Sequence, residues 1–486
     1  MPLNLHHIDR AMTMQSHSSW IVLSITAFYM LSLALISFGV RRHSRSANNY
    51  TTGGGHFPAF LIGFLMLSEF IGTAVSIGTA QTGFKTGISA AWNLFALALG
   101  FVLFAWLLAR KYKDLGDNTI SGVLSRNYGQ KTRFATSIIT IFALEIVAVS
   151  IYASGGAVLA SVLQVDRTLA IIIVGVVSVL YVSIGGMRSV IYTNFVHASL
   201  KYLGVGLTLW FGLKQVGGIG ALQTQLPKSM FDWTAIGWGQ IIAWMIAGIG
   251  SIFSTQYVIQ AVNTVSNAGK AQRACFYCAG LMIPFGIGAA LIGMCSAVLF
   301  PQVDSLQAFP RLIASMDQLT AGLVVAGLAG SLFGTISAVS MGSATLLLRD
   351  FYEPWFNPEK SDVKSLRFVR LATIAVGLLP IALALTSDKV LMIAFLGKAL
   401  RASLAVLVLM VFYAPKFGTP KAAFISIIAS LVATVGWFLA GNPWGIDNAY
   451  IALFTPLVIM SIGHVMRRGT PPEPIAPSAI RVEAGH

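Results

Sequence analysis

Apolar runs of about 20 residues recur along the chain, and each is long enough to cross a bilayer as an α-helix. Thirteen such spans are read: 20–40, 57–83, 88–109, 134–163, 168–184, 190–213, 238–260, 274–300, 320–348, 367–386, 389–413, 422–440 and 449–466. The polar interruptions inside them carry the chemistry. In the second run a carboxylate, Glu69, stands midway, flanked by Ser68 and by Gly72-Thr73. A charged group at mid-membrane costs roughly 2.5–3.5 kcal/mol on insertion scales, which marks a functional candidate. Small residues beside it let a helix break, and a bilayer tolerates exposed backbone only beside a cavity. The seventh run holds Ala247-Gly-Ile-Gly-Ser251, five spans later, and is expected to break there.

Discontinuous helices at matching places in two halves point to an inverted repeat with its site at the midplane. The expected division has repeats at 57–213 and 238–413, joined by an external loop at 214–237. Before them, 1–56 carries an external N-terminus, the first span and a glycine-rich loop. After them come two C-terminal helices, 414–466, and a Pro- and Ala-rich cytoplasmic tail, 467–486, expected to be disordered. For Gly248 and Gly250 the alternative is that they only let helices pack closely.

Composition narrows the class. Of 486 residues, 56% are hydrophobic and 10% charged, with a mean hydropathy of +0.76. Soluble domains carry about 25% charged residues, so this is a polytopic α-helical membrane protein. The net charge of +15 does not form a nucleic-acid stripe, because the basic residues are scattered over short loops. With the N-terminus outside, 22 Lys and Arg fall in cytoplasmic segments, seven in external ones, and Lys201, Lys398 and Arg401 in spans. That bias predicts an external N-terminus and a cytoplasmic C-terminus, and the membrane expected is the plasma (inner) membrane. Met1 to Ser19 lacks the layout of a cleaved signal peptide. The Cys275-Phe-Tyr-Cys278 pair and Cys295 have no accompanying cluster and read as packing. Without a metal cluster or a phosphate-cradling Gly-Lys-Ser/Thr loop, no enzyme activity and no resident metal or cofactor are expected.

Four segments, Asn49 to Pro58, Tyr181 to Asn194, Gln256 to Gln260 and Ala326 to Tyr352, together resemble the sodium:solute symporter family, whose fold is that of the bacterial leucine transporter. Asn49-Tyr50-Thr-Thr-Gly53-Gly-Gly-His-Phe-Pro58 is similar to the family's Tyr-Phe-x-Gly-Gly-Arg-x-x-Pro loop. Tyr181-Val-Ser-Ile-Gly185-Gly186-Met-Arg-Ser-Val190-Ile-Tyr-Thr193-Asn194 resembles its Gly-Gly-x-x-x-Val-x-x-Thr-Asp signature. Gln256-Tyr-Val-Ile-Gln260 matches the segment closing core helix 6, and Ala326-Gly-Leu-Ala through Asp350-Phe-Tyr352 resembles core helix 8. The likeness runs from about residue 20 to 440. It implies a 5+5 core with one helix before it and two after, and alternating access to a solute site between core helices 1 and 6. It also implies a sodium site between helices 1 and 8, with ligands falling on Ile62 and Leu65 and on Ser331, Gly334 and Thr335. Gly334 lacks the hydroxyl usual at its position, and Asn194 stands where an acidic residue is common.

The resemblance places Glu69 where a sugar carrier of the family contacts its solute through an amide. A carboxylate there suits an amine-bearing solute or a proton; the alternative is a structural carboxylate paired inside the bundle. Ser68, Thr73, Gly248 and Ser251 are the other candidate solute contacts, and Gly248, Ser251, Ile88 and Ala91 replace larger or more polar groups, which disfavours a sugar. Glu145 either faces the site or pairs with Lys201 or another buried charge. Asn194, His197 and Lys201 form a polar stripe expected to face the cytoplasm, where a lysine can snorkel. Lys398 and Arg401 share a face of core helix 10, as an anion site or, preferred, as a gate or inter-repeat ion pair. The expected function is sodium-coupled symport of a small polar organic solute: an amine, amino acid or carboxylate. The rivals are a proton-coupled symporter using Glu69 and a transporter-like sensor; against a fused sensor, no kinase-sized domain follows the last span. The partners expected are the solute, sodium and lipid.

Overall fold

In a bilayer every backbone N–H and C=O must find its partner within the protein, which leaves helices as the way to bury these apolar runs. The computed structural model describes residues 5–40, 46–54, 56–163, 165–386 and 390–467, and among them no strand occurs. The expected disordered tail lies, from residue 468 on, outside the described residues. In chain order the helices are α1 (Leu5–Val40), α2 (Ala47–Thr52), α3 (Ala59–Phe70), α4 (Thr73–Thr86), α5 (Trp92–Leu107), α6 (Ala109–Leu115), α7 (Ile120–Leu163) and α8 (Arg167–Val216). There follow α9 (Ile219–Gln225), α10 (Trp238–Ser254), α11 (Gln256–Asn263), α12 (Ala268–Leu299), α13 (Ala308–Ala314) and α14 (Gln318–Leu346). The last are α15 (Glu353–Phe356), α16 (Asp362–Ala384), α17 (Val390–Tyr413), α18 (Pro420–Leu439) and α19 (Asn448–Val465). Polar side chains start several of them: Asp166, Asn267, Asp317, Thr419 and Asp447 each accept a hydrogen bond from a first-turn N–H.

Among the described residues, eight helices are long and apolar enough to cross a membrane alone, or ten if each of two bent pairs is one span. Some expected spans are shorter as helices, including Ser24–Val40, Ala59–Phe70 and Arg167–Val179, so the count of thirteen does not follow from helix length alone. The run 57–83 is divided, because α3 ends at Ile71 (φ −95°, ψ 67°) and α4 begins after Gly72. The runs 168–184 and 190–213 continue as α8 across a break at Gly186, whose φ of 63° suits glycine.

The run 238–260 also bends, but not where its glycines predict. α10 is unbroken through Ala247-Gly-Ile-Gly-Ser251, and the 47° bend falls at Thr255, between α10 and α11. The glycines serve contact instead. A Cβ on Gly248 would lie 3.0 Å from the Ala96 Cβ of α5, and one on Gly250 would lie 2.5 Å from the Ala402 Cβ of α17. Small residues let α10 sit backbone-close between these two helices.

α14 forms the centre. In its apolar stretch 89% of positions are buried, and it packs on α1, α3, α7, α8 and α16. α16, α18 and α19 are the periphery, with 33%, 33% and 28% of their apolar stretches buried, which leaves apolar faces for lipid. The broken pair α3–α4 lies inside, held by α7, α8, α12 and α14.

Candidate functional site

The break between α3 and α4 opens onto a small cavity whose lining includes Glu69, Gly72, Tyr257, Thr335, Lys398 and Arg401. Its volume, about 20 Å³, has room for about one water in this closed arrangement. Glu69 is 1% exposed, and neither of its carboxylate oxygens has a hydrogen-bond partner among the described residues. Buried polar groups in native proteins are nearly always partnered, and one that is not asks for an explanation. Arg401, on α17, donates from Nε to the Gly397 carbonyl at 3.0 Å and from Nη1 to Thr255 Oγ1 at 2.9 Å and Tyr257 OH at 3.3 Å. Lys398 Nζ lies 3.4 Å from Asn93 Oδ1 and 4.2 Å from the centre of the Phe395 ring. Among the described residues no ion pair joins either cation to a carboxylate. The expected inter-repeat ion pair of Lys398 and Arg401 does not form among the described residues: both cations face the same cavity as Glu69, because one turn of α17 presents both to the break.

A second cluster gathers at the carbonyl end of α3 and shares Thr335 with the cavity. The last carbonyls of a helix have no intrahelical partner. Here those of Ser68 and Ile71 are taken by side chains from two other helices. Ser331 Oγ donates to the Ile71 carbonyl at 2.7 Å, and Thr335 Oγ1 shares its one proton between the Ser331 carbonyl of its own helix at 3.1 Å and that of Ser68 at 3.3 Å. Lys201 Nζ, from α8, donates to both carbonyls, at 3.2 Å to Ser68 and closely to Ile71. Lys201, His197 and Asn194 are 2%, 0% and 0% exposed, so the stripe is buried against α14 and does not face the cytoplasm. His197 Nδ1 bonds the Tyr29 hydroxyl of α1.

Of the cation ligands implied by the resemblance, Ile62 and Leu65 lie inside the intact α3, whereas the carbonyls at the break itself are those of Ser68 and Ile71. Ser331 and Thr335 do reach that point. Gly334 supplies space: a Cβ there would collide with Asn194 Oδ1 and lie 2.6 Å from Ser68 Oγ. Ser68 and Asn194 thus face α14, and Asn194 donates to the Val190 carbonyl at 2.8 Å.

The other candidates fall elsewhere. Thr73 Oγ1 meets Ser154 Oγ at 2.8 Å and ties the start of α4 to α7. Ser251 Oγ donates to the Gly248 carbonyl at 2.9 Å, inside α10, so neither residue lines the cavity. Glu145 does not pair with Lys201; its Oε1 accepts from Ser343 Oγ at 2.9 Å, and it borders an apolar crevice formed with Phe142, Leu347 and Leu379. Ile88 and Ala91 are buried in an apolar cluster with Met230 and Cys295. Sequence reasoning missed Tyr257 and the Ile71 carbonyl as site groups. Tyr257 stood in the Gln256–Gln260 motif, and Gly72 after Ile71 was the signal for where the helix ends.

Comparison with known proteins agrees with this architecture. The description SSF: Sodium:solute symporter family matches residues 50–429. A Na+-coupled sialic acid symporter, solved substrate-bound and outward-open, is similar with a TM-score of 0.79 at 17% identity, over 93% of this chain and 98% of that one. Mhp1, a nucleobase-cation-symport-1 family transporter, solved closed with bromovinylhydantoin bound, is similar with a TM-score of 0.53 at 14% identity, over 85% and 94%. Its inward-facing form gives 0.54 at 12% identity, over 85% and 93%. With the family matched over most of its length and its fold shared with solved symporters, the chain belongs to the sodium:solute symporter family, a multi-pass membrane transporter of leucine-transporter fold and not an enzyme.

Proposed function

We propose that this chain carries out symport of a small zwitterionic solute, such as an amino acid, by alternating access through the Glu69 cavity. The observation that carries the reading is the unpartnered Glu69 carboxylate sharing one cavity with the Arg401 guanidinium and the Lys398 ammonium. A solute with an ammonium for Glu69 and a carboxylate for the cations satisfies all three. A planar guanidinium suits a carboxylate, and charge-assisted hydrogen bonds are the strong ones. A neutral sugar leaves these charges unmatched. The cavity in this arrangement is too small for such a solute, which fits a site that opens to one side at a time.

Membership in the family and likeness to a Na+-coupled symporter support a sodium gradient as the driving force. The breaks at Gly72 and Thr255 support repeats at 57–213 and 238–413. The distribution of Lys and Arg supports an N-terminus outside and a C-terminus inside. A C-terminal reporter that fluoresces only in the cytoplasm is expected to fluoresce; an inserted but dark fusion overturns the orientation.

Uptake into proteoliposomes tests the function, using a labelled amino acid, amine and carboxylate with sodium and pH gradients imposed separately. Concentrative uptake of the amino acid ahead of the other two is expected, and no concentrative uptake of any of the three under either gradient refutes the reading. A second reading rests on the same orphaned carboxylate: Glu69 carries a proton. In that case Glu69→Gln keeps exchange of solute but loses uphill uptake.

A further inference from the structure

We infer that the cation seat at the break of the first core helix is filled by the chain's own Lys201, so that sodium is not held there. This rests on the symporter reading for its consequence, since it moves the driving ion away from this point, but its ground is the geometry of the seat. Four oxygens converge at the end of α3: the Ser68 and Ile71 carbonyls, and the Ser331 and Thr335 hydroxyls within hydrogen-bond distance of them. Unwound carbonyls at a half-helix C-terminus are the groups with which carriers of this architecture coordinate a cation. The helix dipole adds negative potential at the same end. Into this point comes the Lys201 ammonium, donating to both carbonyls.

The surroundings fix the lysine there. It is 2% exposed, so its ammonium is buried. No ion pair joins it to a carboxylate among the described residues, and Glu145, its expected partner, is held by Ser343 instead. The two carbonyls are therefore its charge partners. An ammonium buried in a membrane protein without such partners is costly. α14 is shaped to bring it in: a Cβ on Gly327 would lie 2.8 Å from the Leu200 carbonyl and 3.4 Å from the Lys201 Cα, so glycine permits the close approach of α8.

The seat also has one hydroxyl fewer than the family pattern. Gly334 brings no hydroxyl, and the space a side chain would fill there is taken by Asn194 Oδ1 and Ser68 Oγ. A tethered ammonium needs fewer oxygens than a bare ion, because it brings its own three donors and loses little freedom on arrival. Two cations cannot share one pair of carbonyls, so with Lys201 present the seat is closed to sodium.

The test is the thermal unfolding midpoint of the purified full chain in sodium, potassium and choline chloride at equal ionic strength. Wild type is expected to show no sodium-specific shift that depends on Ser331 or Thr335. Lys201→Ala, and Lys201→Met, which keeps the bulk of the stem, are expected to gain a saturable sodium-specific rise. Adding Thr335→Ala to either should remove that rise. A sodium-specific rise in wild type that survives Ser331→Ala and Thr335→Ala supports the inference, since the ion is then held elsewhere. A rise in wild type that either of those substitutions abolishes overturns it, as does a folded Lys201→Ala with no sodium response. If the Lys201 variants fail to fold, wild type against Ser331→Ala and Thr335→Ala decides alone. Solute uptake is scored separately, so loss of the symporter reading and loss of this inference are told apart.

Discussion

Glu69 and Asp350 are both buried carboxylates, at 1% and 0% exposure, and their surroundings are opposite. Asp350 sits in the π-helical turn Leu347–Tyr352 that follows α14. Its Oδ1 accepts from Arg133 Nε at 2.7 Å, and its Oδ2 accepts the hydroxyls of Ser121 and Ser137. Arg133 continues to the Arg349 carbonyl at 3.2 Å. Every oxygen is used, and the result is a latch between α7 and the end of α14. Glu69 has none of this: among the described residues both its oxygens are unpartnered, beside two cations that do not reach it. A saturated buried charge holds helices together, whereas an unsaturated one leaves its interaction free for something that arrives. Burial alone does not tell structure from function; the hydrogen-bond inventory does.

Removing the latch should have the largest effect. Asp350→Ala strands the Arg133 guanidinium and two serine hydroxyls, and breaking a buried pair in this way costs about 3–5 kcal/mol. The low end is expected, because Arg133 is 25% exposed and can turn to water. Thermal unfolding measures it, and a variant as stable as wild type breaks the comparison. Glu69→Gln is expected to act in the other direction on stability. It takes an uncompensated charge out of the interior, so without solute the midpoint should stay level or rise. Solute affinity should fall by roughly 10- to 100-fold, the worth of a hydrogen bond to a charged group. A loss of stability as large as that of Asp350→Ala would make Glu69 a second latch.

Two smaller effects sharpen the boundary between site and scaffold. Gly250→Ala drives a methyl against Ala402, and overpacking of this kind costs about 1–3 kcal/mol. Its expected signature is reduced stability with unchanged selectivity among solutes; altered selectivity would return this part of α10 to the site. Ser251→Ala removes one local hydroxyl bond inside α10, worth about 0.5–1.5 kcal/mol. Solute affinity should be unaffected, and a tenfold loss would restore Ser251 as a solute contact.

The hydrophobic pattern of this chain determined the all-helical membrane architecture, and the Ser68-to-Thr73 stretch placed a break within two residues of where it lies. These are local properties: 20 apolar residues must close their own hydrogen bonds in lipid, wherever the rest of the chain goes. The family resemblance, carried by short motifs in order, gave the fold. What tertiary structure decided was the partner of each polar group. Lys201 bonds the carbonyl of Ile71 across 130 positions, and Asp350 bonds Ser121 across 229. No spacing within one helix announces such pairs. The same holds for Gly248 and Gly250, where a break and a close contact call for the same residue, and only the positions of Ala96 and Ala402 select the contact. A buried charge takes whichever oxygen the packing of other helices brings within about 3 Å, and that is settled by the assembled bundle.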